Sequence, residues 1–243
     1  MSVDDYFVHA INVKNDKIAK LTSICDLFLL KIRFSLMHIV VHANSASREE
    51  WLAKKTGAVQ LSWVDTAAQF AAYLNADAFF DLKQEDQIPV HCYPLHKPVF
   101  VHAVAETLRE IDHPGIIRIN AWTGFLQRPV VEIVARPSQQ ATARTVMEAL
   151  DWQWRFVPDT PGMIAARIVA MVINEAYFTL GDGVSNREEI DTAMKLGANY
   201  PHGPFEWSQK IGVDNIYRLL VKLGETNGRY AIAPALRREA LGG

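Results

Sequence analysis

Residues 159–217 read DTPGMIAARIVAMVINEAYFTLGDGVSNREEIDTAMKLGANYPHGPFEWSQKIGVDNIY. Within this stretch 163–183 is a long apolar-rich helix that ends at glycines. The segment 185–197 opens on Ser185 and Glu188, spaced as a capping box, and closes on Gly197, the residue type favoured just past a helix end. Tyr200-Pro201-His202-Gly203-Pro204 then places two prolines and a glycine where they fix a backbone path, and an aromatic-rich segment follows at once. A helix over 212–228 and a last one in APALRREALGG (233–243) make everything after Pro158–Pro161 all-helical.

Working back from that boundary, the texture changes. MHIVVHA (37–43), VQLSWVD (59–65), ADAFFDL (76–82), KPVFVHAV (97–104), GIIRINAW (115–122) and RPVVEIVA (128–135) read as strands. SREEWLAKK (47–55), TAAQFAAYL (66–74), AETLREI (105–111) and SQQATARTVMEALD (138–151) read as helices, with Ser47 and Glu50 spaced as a capping box in the first. Strands alternating with helices predict a parallel sheet covered on both faces. The expected fold is therefore α/β plus all-α: a shortened Rossmann-like sheet domain over 37–158, then a helical domain over 159–243. Residues 1–36 show no clear period, and we read them as an upstream extension, with Met37 opening the first strand.

Composition narrows the class. A net charge of −2 excludes a partner held by bulk electrostatics, so neither nucleic acid nor an anionic membrane is expected. Asp26, Lys31 and Arg33 interrupt the one membrane-like stretch, 21–41. Cys25 and Cys92 form no ligand pattern, and a reduced, cytoplasmic location is the natural reading. His91, Cys92 and His96 lie in a proline-rich setting with no carboxylate at ligand spacing, and we do not read them as a metal site.

The 159–217 stretch resembles the C-terminal domain of 3-hydroxyacyl-CoA dehydrogenases, and RYAIAPALRREALGG (229–243) resembles that family's usual ending. In size and C-terminal style the 3-hydroxybutyryl-CoA dehydrogenases are the nearest flavour. The resemblance implies an NAD-binding Rossmann domain, a helical domain that forms a homodimer, and an acyl-CoA substrate held between them. It implies hydride transfer between the C3 alcohol and nicotinamide, with a histidine base oriented by a glutamate.

Tested residue by residue, the resemblance thins toward the chemistry. A Rossmann turn needs Gly-x-Gly-x-x-Gly, whereas HANSASREEW (42–51) has no glycine. Ser47 either caps a helix or leaves a residual anion site at a helix terminus. Asp65 closes the second strand where an acidic residue would meet the NAD ribose, and it serves equally as a helix cap. Glu132 in VVEIV stands at the family glutamate. The family histidine precedes it by twelve residues, a position held here by Asn120. An amide has no useful pKa near neutrality and cannot act as a general base. Ala166 in PGMIAAR replaces the family asparagine while Arg167 is retained, and alanine or valine in HAVAETL (102–108) replaces a family serine. The sheet domain is also short for the family, with the shortfall expected around 81–98, where a family member would have more helix. These changes predict a family member of acyl-CoA metabolism with weak or no NAD-dependent dehydrogenase activity. Two alternatives stand beside it: an active NAD-dependent enzyme, and a non-catalytic acyl-CoA-binding or partner subunit.

Overall fold

A computed structural model describes residues 36–83 and 88–242. The expectation for the N-terminal extension lies outside the described residues. Residues 37–243 form one compact unit. In it, β1 (His38–His42), α1 (Ser45–Ala53), β2 (Gln60–Val64), β3 (Ala78–Asp81), β4 (Val99–His102), β5 (Ile116–Ile119), β6 (Val130–Val134), α2 (Gln140–Ala149) and β7 (Gln153–Phe156) build a sheet lobe. Then α3 (Ala165–Gly181), α4 (Arg187–Ala198), α5 (Pro204–Ile211), α6 (Val213–Gly224) and α7 (Pro234–Ala240) build a helical lobe.

The seven strands run in the order β2-β1-β3-β4-β5-β6-β7. All neighbours pair in parallel except β5 with β6. Parallel strands covered on both faces read as continuous apolar runs, which is why HIVVH, AFFD, VFVH and IIRI are buried almost throughout. Their side chains alternate between two cores. Ile39, Val41, Phe80, Phe100, Ile117 and Ile119 pack with Trp51 of α1 and Met147 of α2. Val40, Phe79, Val99 and Val101 pack on the other face with Phe70 and Tyr93. The helical lobe's core takes in Val104, Ala105, Trp122 and Phe125, so the two lobes share apolar packing.

The sheet lobe is short in two places. The Rossmann order 3-2-1-4-5-6 has a strand outside the second one. Here β2 is the edge, and the chain between β2 and β3 holds only a short 3-10 helix, Ala67–Ala72. The missing strand thus falls at 65–77, while at 81–98, where less helix is expected, the described residues hold only the 3-10 helix Val90–Cys92. Other local departures have physical causes. AETLREI forms turns, not a helix. Its polar backbone groups are taken by distant side chains: Leu108 N–H donates to Asp159, and Arg136 donates to Leu108 O. Asn44, not Ser47, caps α1, because Glu50 is drawn away to accept from Gly124 and Leu126 N–H. Asn186 rather than Ser185 caps α4, and Asn199 at φ 55° ends it, leaving Gly197 inside the helix; asparagine tolerates the left-handed region that a helix end requires.

The proline-rich corner is a helix joint. The Asp191 carboxylate of α4 accepts from Phe205 N–H at 2.8 Å and Glu206 N–H at 3.1 Å, capping α5 from outside. A Cβ on Gly203 would lie 2.2 Å from Asp191 Cγ, so only glycine fits beneath that cap. Lys195 pairs with Glu206 across the same joint, and Trp207 packs against Phe125 of the sheet lobe.

Candidate active site

The β5–β6 register pairs Ile119 with Ile133, and the next pair along is Asn120 with Glu132, whose main chains meet through Asn120 N–H to Glu132 O at 3.3 Å. Glu132 reaches on to the first turn of α3, where its carboxylate accepts from Ala165 N–H at 3.0 Å and Ile164 N–H at 3.3 Å. A carboxylate at a helix N-terminus meets unsatisfied N–H groups and the positive end of the helix dipole. Ala166 follows on the same turn, fully buried. Three of the residues read from the sequence, Asn120, Glu132 and Ala166, therefore converge. Asp65 does not join them: it lies exposed at the end of the edge strand β2. Its own N–H and that of Thr66 donate to Gln69 Oε1 at 2.7 and 3.1 Å, so Gln69 closes this helix start. Arg167 folds back on its own loop, donating to Pro161 O at 2.9 Å.

Asn120 is 2% exposed, and its Oδ1 accepts from Trp122 N–H at 3.3 Å. Glu132 has committed its oxygens to α3. The sequence reading missed a histidine next to this place. His102 ends β4, the strand beside β5, and its Nδ1 accepts from Ala121 N–H at 3.1 Å. Burial, helped by the Arg218 charge, pushes its pKa down to about 4. It is neutral near pH 7, with the lone pair of Nδ1 already used, which suits a structural acceptor rather than a base. No spacing rule points to His102, since it comes beside Asn120 only through strand adjacency.

A second missed group lies at the carboxyl ends of β1 and β3. His42 Nδ1 is 3.0 Å from Asp81 Oδ1, and Tyr93 OH donates to Asp81 Oδ2 at 2.7 Å; all three are buried. Beside them, Asn44 Oδ1 takes Ser47 N–H at 2.8 Å. A dinucleotide diphosphate needs bare backbone donors at this turn, and the residues present do not fit one.

Comparison with known proteins bears on both lobes. Residues 162–241 match the 3-hydroxyacyl-CoA dehydrogenase C-terminal domain. The chain is 36% identical over 165 residues to the 3-hydroxyadipyl-CoA dehydrogenase of Escherichia coli, an alignment covering 59% of this chain and 35% of that protein. It is 38% identical over 117 residues to a 3-hydroxybutyryl-CoA dehydrogenase of Bradyrhizobium diazoefficiens, covering 44% of this chain and 40% of the relative. It thus spans well under two thirds of either curated relative. In fold it is similar to the (S)-3-hydroxybutyryl-CoA dehydrogenase of Ralstonia eutropha, with a TM-score of 0.64 at 16% identity over 86% of this chain and 95% of that one. Residues 162–241 thus carry the 3-hydroxyacyl-CoA dehydrogenase C-terminal domain, and it packs against a mostly parallel, Rossmann-type sheet.

Proposed function

We propose that this chain is a member of the family with weak or no NAD-dependent dehydrogenase activity. The observation that carries the reading is Asn120: the position across the ladder from Glu132 holds a buried amide bonded to Trp122 N–H. Loss of a general base alone costs about 10²–10⁴-fold. The test is the absorbance of NADH in the presence of acetoacetyl-CoA. The expected result is no consumption above the protein-free rate; steady turnover would return the active enzyme.

A partner role is the second reading, and a groove on the helical lobe favours it. Val172, Ala176, Ile190, Ala193, Met194 and Pro204 line a space of about 430 Å³ between α3 and α4. Ile168 and Leu196 are exposed on the same two helices. We assign this face to a second copy of the chain, as the family resemblance suggests, with an acyl-CoA as the ligand class to test for each state. Light scattering coupled to size exclusion measures the mass, and acyl-CoA is then added in a thermal-shift assay. A monomer with no acyl-CoA response would remove the reading.

A further inference from the structure

At the carboxyl ends of β1 and β3 the connections part, with β2 on one side of β1 and β3, then β4, on the other. Open α/β sheets bind their ligands at such a switch point. A dinucleotide site needs three glycines there, at Gly-x-Gly-x-x-Gly spacing, counted from the strand end into the helix. Counted from His42, the last residue of β1, the positions are His42, Asn44 and Ser47. Each carries a side chain with a job inside the protein.

At the first, where a bare backbone makes the tight turn, His42 is 2% exposed and bonded to Asp81. Asp81 is in turn 2% exposed and accepts from Tyr93 OH at 2.7 Å and Lys83 N–H at 3.3 Å. A carboxyl group buried at the crevice opposes a diphosphate rather than receiving it. At the second, where backbone must approach the phosphate closely, Asn44 turns its amide over the helix start and takes the Ser47 N–H. That N–H is one of the donors a phosphate would use. At the third, where glycine lets helix and strand come together, Ser47 is itself buried at 2% exposure. Asp65, the candidate ribose partner, is left exposed without a diphosphate turn to go with it.

We infer that this crevice is closed by the chain's own side chains and takes no nicotinamide dinucleotide, so that the sheet lobe serves as a scaffold for the helical one. The inference stands on residues 42–47 and 81–93, apart from Asn120, since an enzyme without its base can still hold its cofactor. The test is titration of the full chain with NADH, following energy transfer from the tryptophans and, separately, heat of binding, with NAD as competitor. The expected result is no saturable signal up to about 1 mM, the millimolar range in which binding amounts to only about 4 kcal/mol. Saturable NADH binding reversed by NAD overturns the inference. If such binding comes without turnover of acetoacetyl-CoA, the reading of Asn120 survives; if turnover accompanies it, both fall.

Discussion

The two lobes bury polar groups differently. Among the described residues, buried polar or charged residues number eight in the sheet lobe (His42, Ser47, Glu50, Asp81, His102, His113, Arg118 and Asn120) and three in the helical lobe (Asn174, Asp191 and Ser208). The helical three are all bonded: Asn174 to Ala231 O and Ala233 N–H, Asp191 to the start of α5, and Ser208 to Tyr177. In the sheet lobe, His42 Nε2, Trp51 Nε1, His113 Nε2, Asn120 Nδ2 and Trp152 Nε1 are buried without a hydrogen-bond partner among the described residues. The helical motif persists as a set of mutually fitted contacts, Gly203 beneath Asp191 being one. The sheet lobe keeps a Rossmann-type backbone, and on the function proposed above side chains of other types stand at the reacting positions.

The comparison is sharpened most by Asp159→Ala. Arg118 is fully buried; its guanidinium donates to Ala103 O at 2.9 Å and to Asp159 Oδ1 at 2.6 Å, tying the sheet to the link between lobes. Removing the carboxylate leaves a buried charge, at a cost of about 3 kcal/mol or more. Urea denaturation should show the midpoint fall with an unchanged slope, and a shift under a third of that size would contradict the account.

Acid provides the next measurement. The His102 pKa lies below its unfolded value, so the unfolded chain binds the proton first. The stability held by neutral His102 is complete above about pH 6.5 and is lost as pH falls toward about 4, a change of about 3 kcal/mol. His102→Gln should flatten that window of the stability-against-pH curve; an unaltered curve would place the acid-sensitive group elsewhere.

Gly203→Ala probes the helical lobe. The new Cβ meets Asp191 and displaces the α5 cap, with a loss of about 2 kcal/mol from overpacking and capping together. If the midpoint does not move, the corner is not the fixed joint described above. Gly197→Ala, inside α4 with open space around it, should instead be neutral or slightly stabilising.

A small effect belongs to the contact between lobes. Lys222 of α6 pairs with Glu110 at 2.6 Å and is the main reason the Glu110 carboxyl is held down at about 2. Its contribution is present above the unfolded carboxylate value near 4.5 and is lost as pH falls toward 2. Both groups are about a third exposed, so solvent screening keeps it below about 1 kcal/mol. Glu110→Gln should remove a weak salt dependence of stability and little else.

Much of this was legible along the chain. The apolar runs of β1, β3, β4 and β5 and the helical period of α3, α4 and α6 announce themselves locally, because strand and helix periods are set by near neighbours. Asn120, Glu132 and Ala166 were singled out by resemblance to the family's motifs, and their meeting through β5, β6 and the start of α3 is a matter of tertiary structure. Helix ends were less legible: Ser47, Glu50 and Ser185 look like capping residues in sequence, yet Asn44 and Asn186 do the capping. Glu50 in particular is claimed by Gly124 and Leu126, more than seventy residues away, which no local rule sees.

The sequence by itself determined the two-part architecture, the absence of glycine at 42–47 and the amide at position 120, since these depend on residue type and short spacing. Only the tertiary structure decided that a strand is missing beyond β2, that His102 lies beside Asn120, that Asp191 caps α5, and that His42 and Asp81 meet at the switch point. The physical reason is common to all four. Each depends on which strands or helices become neighbours, and that is settled by burial of the whole apolar surface, not by any one segment.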